Sequence, residues 1–147
     1  MTTDAYWLRS HLREMSREEC FERLNAEVLG RVGFNDEVGP VVLPVNYRIR
    51  DGSIVIATGL STTFARFAVG KVVALEVEDV DPLTESGWTV LVRGRAEMVP
   101  HDGMPAPEAR PRPWAEGPRP LLIRIVPETV TGRWLIDADT AGSRPVS

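Results

Sequence analysis

The chain is poor in the residues that build most catalytic and metal centres. Its 147 residues include one cysteine, Cys20, and two histidines, His11 and His101. A single thiol excludes an internal disulfide, and the helix-favouring surroundings of Cys20 predict a small, buried or half-buried side chain rather than a reactive one. The histidines lie far apart in polar surroundings, with no second histidine or carboxylate at ligand spacing, so no metal site is expected. Neither a nucleophile elbow nor a phosphate-binding glycine loop is present, which argues against hydrolase and nucleotide triphosphatase chemistry. No apolar run approaches bilayer length, and residues 1–10 lack the basic-then-apolar order of a signal segment. A cytoplasmic protein without a membrane partner is therefore expected. Cations are also scarce: 17 Lys and Arg against 21 Asp and Glu leave a net charge of -4, too little positive charge for general nucleic-acid binding.

The rest of the composition is that of an ordinary globular chain, 43% aliphatic and aromatic and 26% charged, with the length of one domain. Ser16-Arg-Glu-Glu19 has the form of a capping box, predicting a helix to about residue 27 with Phe21, Leu24 and Val28 on its buried face. The fifteen residues before it read as a loosely held arm, with Trp7 and Leu8 as anchors. From Leu29 the period changes to two. In Val41–Arg50 the odd positions Val41, Leu43, Val45, Tyr47 and Ile49 are apolar, while Asn46, Arg48 and Arg50 take the other face, the pattern of a half-buried strand. Turn residues at 38–40 and 51–52 then predict a meander of strands near 29–36, 41–50 and 53–58.

Further strands are predicted at Lys71–Glu78, with Val73, Leu75 and Val77 buried, and at Trp88–Met98, with Trp88, Val90, Val92, Ala96 and Met98 buried. Gly94 marks a bulge or a close backbone approach in the second of these. Residues 100–120 carry six prolines from Pro105 to Pro120 and read as a surface excursion. A strand from Leu121 to Ile125 follows and, after Pro127, another extended piece to Ile136. Six strands in hairpin order with an opening helix and one short inter-strand helix indicate a mostly antiparallel barrel. The predicted organisation is an arm at 1–15, a domain at 16–137 and a tail at 138–147.

Chemistry concentrates at Thr58-Gly-Leu-Ser-Thr-Thr-Phe-Ala-Arg66, which crowds four hydroxyls and one cation into the junction between the strand at 53–58 and the short helix. Ser61, Thr62 and Thr63, with the unpaired N–H groups of a helix start, suit an anion such as a phosphate. The alternative is that Ser61 or Thr62 simply caps the helix.

Taken together, Gly30-Arg-Val-Gly33, Pro44-Val-Asn-Tyr47, the Thr58–Arg66 junction, Gly87-Trp-Thr-Val-Leu-Val-Arg-Gly-Arg95, Pro113-Trp-Ala115 and Thr131-Gly-Arg-Trp134 follow one order and spacing. Over residues 16–136 this resembles the pyridoxamine 5'-phosphate oxidase-like split barrels, in particular the small members grouped with nitroimidazole-resistance proteins. The resemblance implies a six-stranded antiparallel split β-barrel that forms a homodimer with two flavin sites at the interface, usually for FMN. By position, Leu43, Pro44, Val45 and Asn46 would lie along the flavin ring, and Thr58, Ser61, Thr62 and Thr63 would meet the ribityl phosphate. From the partner subunit would come Trp88, Trp114, Arg133 and Trp134, although Trp88 could equally be core filler.

Many family members carry Lys or Arg where this chain has Thr63, and Arg66 or Lys71 are the candidates to replace that charge. The departure leaves a deazaflavin coenzyme, FAD or haem as alternatives to FMN. The leading expectation is an FMN-dependent oxidoreductase acting on a small molecule. The alternatives are a deazaflavin-dependent reductase, with Arg48, Arg50, Arg66 and Lys71 along a polyanionic tail, and a flavin- or haem-binding barrel dimer without turnover.

Overall fold

The structure, a computed structural model, describes residues 12–59, 62–111 and 121–135. The chain opens with β1 (Leu12–Glu14) and helix α1 (Arg17–Ala26), followed by β2 (Leu29–Asn35), β3 (Pro40–Arg50) and β4 (Ser53–Thr58). Helix α2 (Thr63–Ala68), β5 (Val72–Asp81), β6 (Ser86–Met98) and β7 (Leu121–Leu135) complete it. All the pairings between named strands are antiparallel, in the order β1-β7-β4-β3-β2-β5-β6, and β6 pairs back onto β7. Strands β2 to β7 thereby close into the expected six-stranded barrel, and β1 adds a short seventh strand where the arm reaches Arg133 to Leu135.

Helix α1 starts as its sequence dictates. The Ser16 hydroxyl accepts the Glu19 N–H at 3.1 Å, and the Glu19 carboxylate accepts the Ser16 N–H at 3.0 Å, closing the capping box. Those bonds, the Ser16 N–H first and the Trp134 indole next, hold the Glu19 carboxyl below its ordinary value. The helix buries Cys20 and Leu24, not the stripe reaching Val28. Val28 lies past the helix end and is exposed, because Glu27 closes α1 in an extended conformation. The reason for the packing lies across the interface: at Gly132 on β7 a Cβ would meet Cys20 Sγ and Met15 Sδ, so the missing side chain lets α1 close onto the strand. Burial raises the Cys20 thiol above its usual range, in keeping with an inert core residue. The buried Tyr47 hydroxyl donates to the Leu24 carbonyl at 2.6 Å, tying the helix to β3, and burial pushes its phenol well up.

Inside the barrel, alternate residues of β5 and β6 meet as predicted, with Val73, Leu75, Val77, Trp88, Val90, Val92 and Ala96 all buried. Met98 departs from the pattern and is exposed, since β6 has run past the barrel interior there. Gly94 is both a bulge and a close approach. The register shifts between Arg93 and Gly94 so that Glu128 has no partner, and a Cβ on Gly94 would strike the Val126 carbonyl. The same irregularity places Pro127 opposite Gly94, which is why β7 runs unbroken through a proline and the two expected pieces are one strand of 15 residues. Residues 101–103 and 107–109 form 3-10 turns in the proline-rich segment. Its described part is not wholly superficial: Pro105 and Pro111 are buried, and Val99 and Met104 pack against Val55, Ala57 and Leu122.

Candidate cofactor-binding site

Strand pairing is interrupted between β3 and β4 in the barrel wall. β3 pairs with β2 from Pro40 to Asn46, but its pairing with β4 begins only at Tyr47, while β4 continues to Thr58 against β7. Leu43 to Asn46 are thus an edge facing the β4–α2 junction. The Tyr47 N–H donates to the Val28 carbonyl at 2.9 Å, on the β2 side. Backbone groups alternate in direction along an antiparallel strand, so those of even-numbered residues face the split. Pro44 is one of these. Its missing N–H falls where there is no ladder to weaken, the edge position that proline tolerates.

Across the split, Leu43, Pro44 and Val45 face Ala57, Thr58, Thr62 and Phe64, and together they line a depression of about 170 Å³. Phe64 is fixed by an edge-to-face contact with Phe34 on β2, with ring centres 5.4 Å apart and an interplanar angle of 68°, so α2 sits rigidly over the junction. Five of the seven lining residues were singled out in the sequence. Ala57 and Phe64 were not: both read as core positions from their apolar periodicity and are buried, and the gap between β3 and β4 leaves them at the edge of the depression.

The hydroxyls at the junction have a defined order. Thr62 is the N-cap of α2, its Oγ1 accepting the Ala65 N–H at 3.1 Å and donating to the Gly59 carbonyl at 2.9 Å. Thr58 Oγ1 lies 2.8 Å from Thr62 Oγ1. A hydroxyl has one proton, and that of Thr62 is spent on Gly59, so Thr58 is the donor of the pair. Both protons are committed within the chain, and Thr62 spends both lone pairs on the Ala65 N–H and the Thr58 hydroxyl, so what the pair presents outward is the acceptor capacity of Thr58. That matches the hydroxyls of a polyol better than a phosphate. Thr63 is exposed at the first position of α2.

Among the described residues, no charged side chain lines this depression. Arg66 lies in the last turn of α2 with its guanidinium 5.1 Å from the centre of the Phe67 ring, and Lys71 is exposed beyond that helix. Arg48 and Arg50 are exposed on β3 past the point where β4 begins to pair. Asn46 is half-buried and paired in register with Leu29.

The structure does not bring the β6 and β7 residues to the depression within one chain. Trp88 is 5% exposed and belongs to the barrel core, opposite Trp134 in the ladder. Trp134 is half-buried, donates its indole N–H to Glu19 at 3.2 Å, and has the Arg13 and Arg23 guanidiniums 5.9 and 5.8 Å from its ring. Arg133 is exposed beside Thr89 and Glu14. Ser61 and Trp114 lie outside the described residues, as do Trp7 and Leu8 of the arm.

A second depression of about 320 Å³ shares Pro44 with the first and is otherwise lined mainly by Leu29, Arg31, Glu76, Glu78 and Asp79. The signal for it was the outward phase of Arg31 on β2, opposite Pro44. Burial raises the Glu76 carboxyl, which the Thr89 hydroxyl contact at 2.9 Å partly offsets. Among the described residues there is no cluster able to hold a metal ion, and no helix is long and apolar enough to cross a membrane.

Comparison with known proteins agrees with this architecture. The family model for pyridoxamine 5'-phosphate oxidase matches residues 16–134. The uncharacterized protein Rv0080 of Mycobacterium tuberculosis is 35% identical over 126 residues, covering 81% of this chain and 82% of that protein. A candidate pyridoxamine 5'-phosphate oxidase of Corynebacterium glutamicum is similar in structure, with a TM-score of 0.69, 26% identity, and 85% of this chain and 98% of that chain covered. The FAD binding protein of Mycobacterium smegmatis shares the fold with a TM-score of 0.66 at 24% identity, over 84% of this chain and 98% of its own. On the family model's match to residues 16–134, the chain belongs to the pyridoxamine 5'-phosphate oxidase family of split barrels.

Proposed function

We propose that this protein binds a flavin in the depression at the β3–β4 split and serves as an oxidoreductase for a small molecule. The observation that carries the reading is the convergence of Leu43, Pro44 and Val45 with Thr58 and Thr62 around one depression, across the edge where β3 and β4 do not pair. The residues present fit such a ligand in its two unequal parts. Leu43 and Pro44 offer apolar surface to a planar ring over a floor edged by Val45, Ala57 and Phe64, and Thr58 offers an acceptor to a ribityl chain. A bound flavin would supply the hydride and electron chemistry, which suits a sequence without a catalytic-triad signature.

At about 170 Å³ the depression is smaller than the roughly 300–1,000 Å³ of a complete ligand site, which supports a homodimer in which a second copy completes the wall. Exposed Arg133 is available for that contact, whereas Trp134 is engaged by Glu19, Arg13 and Arg23 and Trp88 is enclosed by its own barrel. FMN is the form that the family resemblance favours. FAD is the second reading, supported by the uncharged lining: a terminal phosphomonoester concentrates close to two charges on one group, while the diphosphate of FAD spreads its charge and adds an apolar adenine.

Titration of the purified protein with FMN and with FAD, followed by flavin absorption and fluorescence, tests the proposal. Saturable binding of either form supports it, and the tighter of the two names the cofactor. Failure to bind both overturns it. Rapid reduction and reoxidation of the bound flavin by defined donors and acceptors would separate an enzyme from a binding protein.

A further inference from the structure

The outward face of β4 is covered where the flavin depression ends. Ile54 and Ile56 belong to the barrel core, whereas Val55 and Ala57, on the opposite face of the strand, join Leu122 of β7 in a separate small core under Val99 and Met104. The Val99 N–H donates to the Leu122 carbonyl at 2.9 Å, and Pro105, next to Met104, is buried. The start of the proline-rich segment is thus fastened to this face. Ala57 belongs to both places, since it packs in the small core and lines the flavin depression beside Thr58. The described part of the segment therefore borders the depression at its hydroxyl end.

That border carries a cation. Arg110 is half-buried, and its Nε donates to the Pro105 carbonyl at 2.9 Å. One N–H of the guanidinium is fixed in this way, and those on the two terminal nitrogens have no hydrogen bond or ion pair among the described residues. A guanidinium anchored through Nε, with both terminal nitrogens open, is preorganised to take an oxyanion. The other half-buried cations among the described residues are already engaged, Arg124 with Glu97 at 3.1 Å and Arg23 over the Trp134 ring. Arg66 and Lys71, the replacements that the sequence offers for a charge missing at Thr63, are both exposed.

We propose that Arg110 receives the phosphate of the flavin tail, supplying the charge that Thr63 does not carry. The inference rests on the flavin reading and deepens it by naming a residue that selects a phosphorylated flavin. With the ring over Leu43 and Pro44 and the ribityl chain at Thr58, the tail runs past Ala57 toward the segment that holds Arg110. The lining of the depression is itself uncharged among the described residues, so the phosphate finds its counter-charge beyond that lining. The phosphates of FMN and FAD share this chemistry, and titration separates the two.

Riboflavin has the same ring and ribityl chain without a phosphate, so titration with riboflavin, FMN and FAD tests the role of Arg110. The native protein is expected to bind FMN, FAD or both at least about tenfold more tightly than riboflavin, a preference that shrinks as salt is raised. Arg110→Gln should remove about tenfold or more of the affinity for the phosphorylated flavin and leave riboflavin within about twofold, and Arg110→Lys should restore part of the loss. Thermal melts check that each variant is folded, and the native preference with its salt dependence needs no variant. Riboflavin bound as tightly as FMN and FAD overturns the proposal and leaves the flavin reading standing. So does an Arg110→Gln protein that loses riboflavin and FMN alike or loses neither, and so does loss of the preference in Arg66→Gln or Lys71→Gln instead. Failure of all three flavins to bind overturns both readings.

Discussion

At the β3–β4 split the backbone of β3 lacks a partner strand and side chains gather around a depression, whereas along β6 every residue from Gly87 to Met98 is paired with β7. Both regions supplied candidate site residues from the sequence, yet they use them differently. In the complete ladder, Trp88 fills the core and Trp134 is spent on Glu19, Arg13 and Arg23. At the split, Leu43 is half-buried and Pro44 exposed, while Val45 and Phe64, core residues themselves, only edge the depression. The proposed flavin site lies where β3–β4 pairing is interrupted, and the uninterrupted β6–β7 pairing turns the same kinds of residue into scaffold.

The sharpest way to break that contrast is Trp88→Ala. Emptying a core site of this size should lower the unfolding free energy by about 3–5 kcal/mol in urea titrations, with the flavin affinity of the folded fraction unchanged. Lost flavin affinity without lost stability would put Trp88 in the site instead. Gly132→Ala comes next. Its new methyl group would press on Cys20 and Met15, and a loss of about 1–3 kcal/mol is expected, measured the same way.

On the other side of the comparison, Thr62→Ala removes the α2 cap and should cost about 1 kcal/mol. Because it also frees Thr58 from its acceptor, flavin affinity should fall about tenfold, while Thr62→Ser should retain both properties. The smallest effect concerns pH. Burial raises the folded-state thiol of Cys20, so the folded chain holds this proton at pH values where the unfolded chain has released it. Its contribution is fully present below the ordinary thiol value near about 8.5 and is lost as pH rises from there through the raised folded value. Cys20→Ala should abolish that part of the alkaline slope in denaturation curves taken across this range.

Much of the fold was legible because single segments carried it. The capping box at Ser16 fixed the start of α1, and the alternation in Val41–Arg50 and Trp88–Met98 fixed which residues face inward, with Met98 failing only where the strand outruns the core. What was illegible depended on two segments at once. The continuity of β7 through Pro127 required its partner's irregularity at Gly94, and β1 required residues 133–135 to be in place. The site divides in the same manner. Thr62 as a cap could be read from α2 alone, but the order of the Thr58, Thr62 and Gly59 bonds, and the recruitment of Ala57 and Phe64, follow from where β4 parts from β3.

Crystals of the protein grown with saturating FMN or FAD test the central claim most directly. Density for the ring against Leu43, Pro44 and Val45, with its ribityl chain within hydrogen-bond reach of Thr58 and Thr62, is the predicted result. A depression filled by the chain's own side chains, or a flavin bound elsewhere along the β6–β7 ladder, would contradict it.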